Sequence, residues 1–308
     1  MKKMLLFAAA ATIALSSCVE SNTVYTDAPQ EIAFKAVSHN STKAPIDGTV
    51  LPTSYEMGVY ALYTDVDDNQ SAYFSNAKFV NETGNVWHGS PVQYWPTIGK
   101  LEFTAYAPHG CGEILAGSTI NAYNLQVANN RTAQNDILYS DRTKPYTCPY
   151  NANVPLLFHH SLAQICVELA ATAENQVTLN SVVIEDVVTE GTLGVTSTAT
   201  VADAEPTAAW SDLAAAADYT LDQSNVTTKL GTTLAQIGTG LLVVPTAQTQ
   251  LVLTYTINGV TVKHPIDLTA QGNWEMGKRY IYKITVGLEE IKFVPTVEEW
   301  DPEEIVLL

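Results

Sequence analysis

The sequence predicts an all-β protein made of two tandem antiparallel β-sandwiches. Short segments in which apolar and polar residues alternate recur along most of the chain, as they do in strands with one buried face. Glycine, proline and asparagine separate these segments, and residues 208–217 (AAWSDLAAAA) are the one run rich in helix formers. A chain of 308 residues is most simply divided into two domains.

The first alternating segment is residues 31–37 (EIAFKAV), which predict a half-buried strand. A polar loop, residues 38–48 (SHNSTKAPIDG), follows it. The remaining strands predicted in the first half cover residues 57–63, 100–107, 136–140, 154–158 and 162–169.

The small, polar residues 170–176 are the best candidate for a domain boundary. Beyond them, Asn258 and Gly259 between two alternating segments are the strongest hairpin signal. Residues 208–217 predict a short helix or a decorated loop, and Gly238 to Gly240 predict a turn. Further strands are predicted at residues 177–188, 241–245, 250–257, 260–266, 280–286 and 290–294.

The first 17 residues have the parts of a secretory signal, a basic start followed by the apolar residues 4–15. This apolar run is shorter than the roughly 20 residues that a membrane span needs. Two serines and Cys18 follow it directly. We therefore predict a signal peptide over residues 1–17, a tether over 18–30, and domains over 31–173 and 174–308.

The composition argues against several classes of protein. A formal net charge of −17 disfavours nucleic acid as a partner. Only 15% of the residues are charged, which favours an extracellular β-protein. Cys111, Cys148 and Cys166 have no C-x-x-C spacing, so they support no zinc site. A disulfide between Cys111 and Cys148 is consistent with an oxidising compartment, and Cys166 is expected to be a buried thiol.

No motif predicts a metal, a cofactor or an enzyme. The acidic turn from Asp65 to Asn69 begins like a calcium loop, but it has Gln70 and Asn76 where that loop needs glycine and glutamate. His159 and His160 are neighbours on a predicted strand, so they point to opposite faces and cannot share an ion. No nucleophile elbow, zinc-protease motif or P-loop occurs, and the adjacent carboxylates near the end indicate a solvated face.

Several segments, taken in order, resemble the fimbrillin family of type V pilus subunits and its minor-fimbrillin-like relatives. They follow the lipoprotein-like signal and cover nearly the whole remaining chain. The segments are residues 31–48 (EIAFKAVSHNSTKAPIDG), 94–96 (YWP) with 101–108 (LEFTAYAP), 135–140 (NDILYS), 158–167 (FHHSLAQICV), 274–282 (WEMGKRYIY) and 291–300 (IKFVPTVEEW).

The resemblance implies two transthyretin-like sandwich domains and export to the outer membrane as a lipoprotein with palmitate on Cys18. It also implies that a protease removes the first strand and that a strand from another subunit fills the groove. In such proteins the cut commonly follows an arginine, whereas this sequence has Lys43 before Ala44 at the matching position. This departure leaves open which protease acts, and whether the chain is an anchor or tip subunit.

The last four residues, Ile305, Val306, Leu307 and Leu308, are apolar after a polar stretch. One interpretation is a final edge strand of the second domain. The other is a donor strand for a neighbouring subunit, which would require residues 291–300 to move as well, because six residues after Pro302 span at most about 20 Å.

Three classes of function compete. The first is a structural pilus subunit that supports adhesion, with other subunits, the outer membrane and a surface receptor as partners. The second is a glycan-binding surface lipoprotein that stacks sugars on aromatic rings. The third, a surface hydrolase, has no catalytic constellation to support it. The aromatic residues considered for stacking are Trp87, Tyr94, Trp95, Tyr280 and Tyr282, for which packing inside the sheets is the plainer role.

Overall fold

The computed structural model describes residues 29–38, 51, 54–111, 113–114, 122–126, 134–174, 176–196, 207–221, 229–287 and 291–300. Over these residues the chain forms β-strands and one short 3₁₀ turn, Thr269–Gln271, and no α-helix. The predicted all-β fold is therefore confirmed.

The strands of the first half are numbered in chain order. They are β1 (Ala33–Ser38), β2 (Met57–Thr64), β3 (Gln70–Thr83), β4 (Val86–Gly89), β5 (Lys100–Ala107), β6 (Glu113–Ile114), β7 (Ala122–Gln126), β8 (Leu138–Ser140), β9 (Tyr146–Thr147) and β10 (Val154–His160).

The strands of the second half follow. They are β11 (Ala163–Ala171), β12 (Val177–Thr196), β13 (Thr207–Thr220), β14 (Ala235–Val243), β15 (Gln250–Ile257), β16 (Val260–Asp267), β17 (Lys278–Val286) and β18 (Ile291–Glu299).

The first sheet has the order β2-β3-β4-β1-β10-β8-β5-β9. Because β2 also pairs with β5, the sheet closes around its own interior. That interior, the first core, contains buried residues from most of its strands, including Phe34, Phe79, Trp87 and Phe103. Most pairs are antiparallel, but β1 runs parallel to β10.

The second unit is built from two sheets. One has the order β14-β11-β17-β18, and the other has the order β16-β15-β12-β7-β6, with β13 paired to β12. A second core of buried aliphatic and aromatic side chains includes Ile165, Leu253, Trp274 and Tyr282. The pair β11 and β17 is parallel, whereas the other pairs described in these two sheets are antiparallel.

Two local predictions are wrong. Residues 208–217 lie in β13, where pairing with β12 outweighs the helix propensity of the alanines. Trp210 helps to hold this strand, because its indole Nε1 donates to the Ser161 carbonyl at 2.7 Å. Gly238 to Gly240 lie within β14 rather than in a turn, opposite the irregular register between Ile165 and Val167.

The hairpin prediction at Asn258 and Gly259 is confirmed. Both residues have positive φ, 51° and 78°, and they join β15 to β16 with Ile257 paired to Val260. Positive φ at both central residues is what a two-residue turn matching the twist of its strands requires.

The predicted division between residues 173 and 174 stays a prediction. Strand pairing favours an earlier position, because β11 pairs with β14 and β17, which both follow it in the chain. We propose a boundary near Ser161, between β10 and β11. The short strand β7 crosses over to pair with β12 of the second unit, and β6 pairs with β7 at the edge of that sheet.

Gln134 joins the two units through its buried side-chain amide. Its Nε2 donates to the Leu242 carbonyl, and its Oε1 accepts from the Leu242 N–H at 2.8 Å. Close by, the Ser161 hydroxyl donates to the Ile137 carbonyl at 2.7 Å. Buried backbone groups need such partners, so the contact is structural.

Replacing Gln134 by alanine should lower the free energy of unfolding by about 2–4 kcal/mol, because the N–H and C=O of Leu242 lose a buried partner. Denaturant unfolding followed by circular dichroism measures this change. The matched control is Gln271→Ala, an exposed glutamine, which should stay within about 0.5 kcal/mol of the parent. Equal effects of the two substitutions would contradict a structural role for Gln134.

Candidate strand-exchange groove around β1

Strand β1 lies inside the first sheet, with neighbours on both sides that are distant in sequence. On one side it runs parallel to β10, with Phe34 paired to Val154 and Ser38 paired to Phe158. On the other side it is antiparallel to β4, through Ala33 and Phe34. We call the space between β4 and β10 that β1 fills the β1 groove.

The inner face of β1 completes the first core. The relative exposures of Ile32, Phe34 and Ala36 are 0%, 0% and 2%. The Phe34 ring lies 4.8 Å from the Phe79 ring and 5.0 Å from the Phe103 ring, edge to face in both cases. Burial of Ile32 and Phe34 alone is worth roughly 3–6 kcal/mol. Without β1, the first core would therefore open to water.

Backbone hydrogen bonds hold the segment just before β1. The Ile32 N–H donates to the Gln93 carbonyl, and the Trp95 N–H donates to the Gln30 carbonyl, both at 2.8 Å. A partly exposed contact accompanies them, because His88 Nδ1 lies 2.9 Å from Glu31 Oε1. The entrance to the β1 groove is thus defined by residues 88–95.

Near its C-terminal end, β1 pairs with a described strand on one side only. The β4 ladder stops at Phe34, so at Ala36 the described strands pair with β1 only on the β10 side, through Leu156. The strand is therefore held by its buried side chains and by one ladder that runs from Phe34 to Ser38, the one with β10.

Strand β18 differs from β1 in its environment. Among the described strands it lies at the edge of its sheet and pairs with β17 alone. Ile291 and Phe293 on its inner face are half-buried against the second core, whereas Val294 and Val297 are 42% and 55% exposed. After β18, Trp300 is buried and stacks on His160 with ring centroids 3.9 Å apart.

The site residues predicted from sequence lie outside the described residues. These are the lipidation site Cys18, the processing site Lys43 and Ala44, and the donor candidates Ile305, Val306, Leu307 and Leu308. In the part of the chain that is described, no helix is long and apolar enough to span a bilayer.

The acidic turn uses its first carboxylate internally. Asp65 accepts from the Asp67 and Asn69 N–H groups at 2.8 Å and from the Asn69 amide. The Asn69 side chain, followed by its backbone N–H, lowers the pKa of Asp65. Among the described residues, no group of three or more His, Cys, Asp or Glu side chains is placed to hold a metal ion.

His159 and His160 contact different carboxylates, as expected for neighbours on a strand. His159 Nε2 lies 2.6 Å from Asp141 Oδ1, and His160 Nδ1 lies 2.8 Å from Asp136 Oδ2. His160 and Asp136 are both buried at the junction of the two units. These contacts, together with the Trp300 stack, are structural links that the sequence did not reveal.

No disulfide joins Cys111 and Cys148, which are both thiols. Burial raises the pKa of the Cys111 thiol to about 12 and that of Cys148 to about 11. Thiolate is the reactive form of cysteine, so neither side chain is activated as a nucleophile.

The structure buries most of the aromatic residues considered as sugar platforms. Trp87, Trp95, Tyr280 and Tyr282 are all 5% exposed or less, and only Tyr94 is open to solvent, at 45%. The Tyr282 hydroxyl accepts from the Trp274 indole at 2.9 Å and donates to Gln248 Oε1 at 2.6 Å. These rings pack the cores and fix loops.

Comparison with known proteins decides the family. The fimbrillin-like family profile matches residues 42–300. The chain belongs to the fimbrillin-like family. This is a family of fimbrial structural proteins rather than enzymes, and membership supports the role of a fimbrial subunit at the cell surface. No match was found among curated proteins.

Solved structures support the fold. Candidate cell adhesion proteins from Bacteroides uniformis and Bacteroides ovatus each share 18% identity, with a TM-score of 0.57. The alignments cover 88% and 89% of this chain and 98% of each relative. A fimbrial protein from Bacteroides vulgatus shares 14% identity over 87% of this chain and 99% of that one, with a TM-score of 0.51.

Truncating Phe34 should destabilise the fimbrillin-like chain more than truncating Phe293. Phe34→Ala leaves a cavity in the first core and should cost about 3–5 kcal/mol. Phe293→Ala removes the same atoms from a half-buried site and should cost about half as much or less. Denaturant midpoints measure both, and the reverse order would show that β1 is not a principal support of its core.

Proposed function

We propose that this protein is a structural subunit of a surface fimbria that is exported as a lipoprotein and assembled by strand exchange. A protease removes β1, and a strand from another subunit fills the β1 groove. The assembled fibre supports adhesion, and a surface receptor for it stays a prediction.

One observation carries the proposal. The first described strand fills an apolar groove between strands that follow much later in the chain, with three inner side chains that are almost completely buried. Its removal would leave unpaired backbone groups on β4 and β10 and uncover aromatic rings. An incoming strand satisfies the backbone groups and covers the rings, which is the chemistry of strand addition.

The processing site is proposed at Lys43 and Ala44, five residues beyond the end of β1 at Ser38. Polar, punctuated loops such as residues 38–48 are where proteases cut most readily. A cut there would separate β1 from the rest of the chain and would fall within none of the described strands. The donor predicted from sequence, Ile305 to Leu308, stays a proposal at the other end of the chain.

The lipid anchor is proposed at Cys18, on the strength of the signal that precedes it. The eleven residues from Val19 to Pro29 extend to at most about 40 Å. This length keeps the first sheet close to the outer membrane until β1 is cut away. After cleavage at Lys43, departure of β1 would release the subunit from its lipid and open its groove together.

Limited trypsin digestion should cut the folded protein at Lys43 before other sites and yield a fragment that ends there. The cut protein should then form oligomers, whereas uncut protein should remain monomeric, because only in the cut protein is β1 a separate peptide that an incoming strand can displace. Mass spectrometry and size-exclusion chromatography measure the two steps. Preferential cutting elsewhere would contradict the processing site, and monomers after a clean cut would contradict strand exchange.

Cells that express the protein should incorporate radiolabelled palmitate into it, and the variant Cys18→Ala should lose that label. The physical reason is that a thiol at this position is the acceptor for the lipid. A matched control is Ser17→Ala, which leaves the cysteine in place and should keep most of the label. Label retained at the parent level by Cys18→Ala would overturn the proposed anchor.

A further inference from the structure

The exposed apolar side chains of the first unit are gathered at one end of its sheet. The described residues up to Ser161 include five large hydrophobic side chains with relative exposures from 40% to 71%, and we call them the end patch. They are Val66, Tyr73, Val92, Tyr94 and Ile98. All five lie where β2 ends and where β3 and β5 begin. Single exposed apolar residues are ordinary, but a group of them at one place indicates an interaction surface.

Contacts at this end of the sheet bring members of the end patch together. The Tyr73 hydroxyl donates to the Tyr94 carbonyl at 2.9 Å, and the Tyr73 ring lies 6.2 Å from the Tyr63 ring. The backbone of Gly99, next to Ile98, packs on Tyr63 so closely that a Cβ at residue 99 would lie 2.4 Å from the Tyr63 ring. The patch is therefore built from segments that contact one another.

The chain that precedes β1 enters the first sheet beside the end patch. The Trp95 N–H donates to the Gln30 carbonyl at 2.8 Å, and Glu31 forms an isolated bridge with Tyr94. The eleven residues between Cys18 and Gln30 extend to at most about 40 Å. A bilayer that holds a lipid on Cys18 can therefore contact the end patch without any change to the described strands.

We propose that the end patch docks the uncut subunit on the surface of the lipid bilayer. The inference rests on the proposed lipid anchor at Cys18 and goes beyond it by naming a second contact with the membrane, one made by side chains. It does not depend on strand exchange. The anchor keeps the bilayer at a high effective concentration, so a weak apolar contact is sufficient for docking.

The side chains of the patch suit the boundary between lipid headgroups and acyl chains. Tyr73 and Tyr94 each combine an apolar ring with a polar hydroxyl, and such rings are enriched where a bilayer meets water. Val66, Val92 and Ile98 supply apolar surface that leaves water when it enters this boundary. Because the Tyr73 hydroxyl is already bonded to the Tyr94 backbone, its ring loses little freedom on docking.

Charges of both signs flank the end patch. Lys100 is exposed at the start of β5, and the exposed Lys144 has its Nζ 5.7 Å from the centre of the Tyr146 ring. Asp67 and Asp68 are exposed in the turn that contains Val66. Attraction of the lysines to anionic headgroups is offset by repulsion of the aspartates. Docking should therefore depend on apolar contact and change little with salt concentration.

A fluorescent label that reports contact with water tests the docking. The full-length lipidated protein carries Cys111→Ser and one new cysteine, Ile98→Cys, labelled with nitrobenzoxadiazole. The matched control carries Val260→Cys instead, at an exposed aliphatic residue in the second unit. Cys148 and Cys166 are buried and should stay unlabelled. The protein is anchored in vesicles of phosphatidylethanolamine and phosphatidylglycerol, and iodide in the water quenches those labels that it can reach.

On the vesicles, iodide should quench the label at residue 98 at least about threefold less than the label at residue 260, because lipid covers only the patch. Raising the sodium chloride concentration should change this ratio by less than about twofold. Tyr94→Asp should restore quenching at residue 98, since a carboxylate resists entry into the bilayer boundary. The matched substitution Leu234→Asp, at an exposed site in the second unit, should leave the protection unchanged. Circular dichroism confirms that both aspartate variants are folded.

Each other outcome overturns a different claim. Equal quenching of the two labels, in protein that floats with the vesicles, would overturn docking by the end patch and leave the lipid anchor intact. Protein that does not float with the vesicles would overturn the anchor and this inference with it. Protection of the label at residue 98 in the unlipidated Cys18→Ala protein, without vesicles, would show that the patch joins copies of the chain instead.

Discussion

The packing of Phe34 against Phe79 and Phe103 is the interaction on which the first unit depends. These three rings come from β1, β3 and β5, which the closed sheet brings around one interior. Strand β1 supplies one of these rings, pairs with β10 from Phe34 to Ser38, and pairs with β4 through Ala33 and Phe34.

The second unit combines an apolar core with buried polar contacts. The Tyr282 hydroxyl accepts from the Trp274 indole and donates to Gln248. Burial raises the pKa of Tyr282, so the phenol stays protonated at any ordinary pH. Its outer strand β18, by contrast, is half-exposed. The chain thus combines one fully inserted strand near its start with one loosely covered strand near its end.

Sequence patterns correctly predicted those elements whose conformation is determined by their own residues. Asn258 and Gly259 tolerate positive φ by themselves, so the hairpin could be recognised without knowing its surroundings. The alanine-rich β13 was missed because its conformation is imposed by β12, and local propensity carries no information about that partner. Gly238 and Gly240 have positive φ inside a strand rather than in a turn, since β14 is irregular opposite Ile165 and Val167.

The candidate site was predictable only in part for the same reason. Alternation identified β1 as a strand, but its parallel partner β10 and the end of the β4 ladder are properties of the assembled sheet. The contacts of Gln134 with Leu242 span 108 residues, and no motif marks either residue.

The parallel pairing of β1 with β10 has a consequence for how the protein is made. Phe34 cannot pair with Val154 until the chain up to residue 154 has been made. The two residues lie about 120 positions apart (154 − 34), and contacts between such distant residues slow folding. A chain synthesised from its N-terminus has β3, β4 and β5 complete before β10 appears. During that interval the aromatic interior is incomplete, and a chaperone or a neighbouring strand could reach it before the chain's own first strand does.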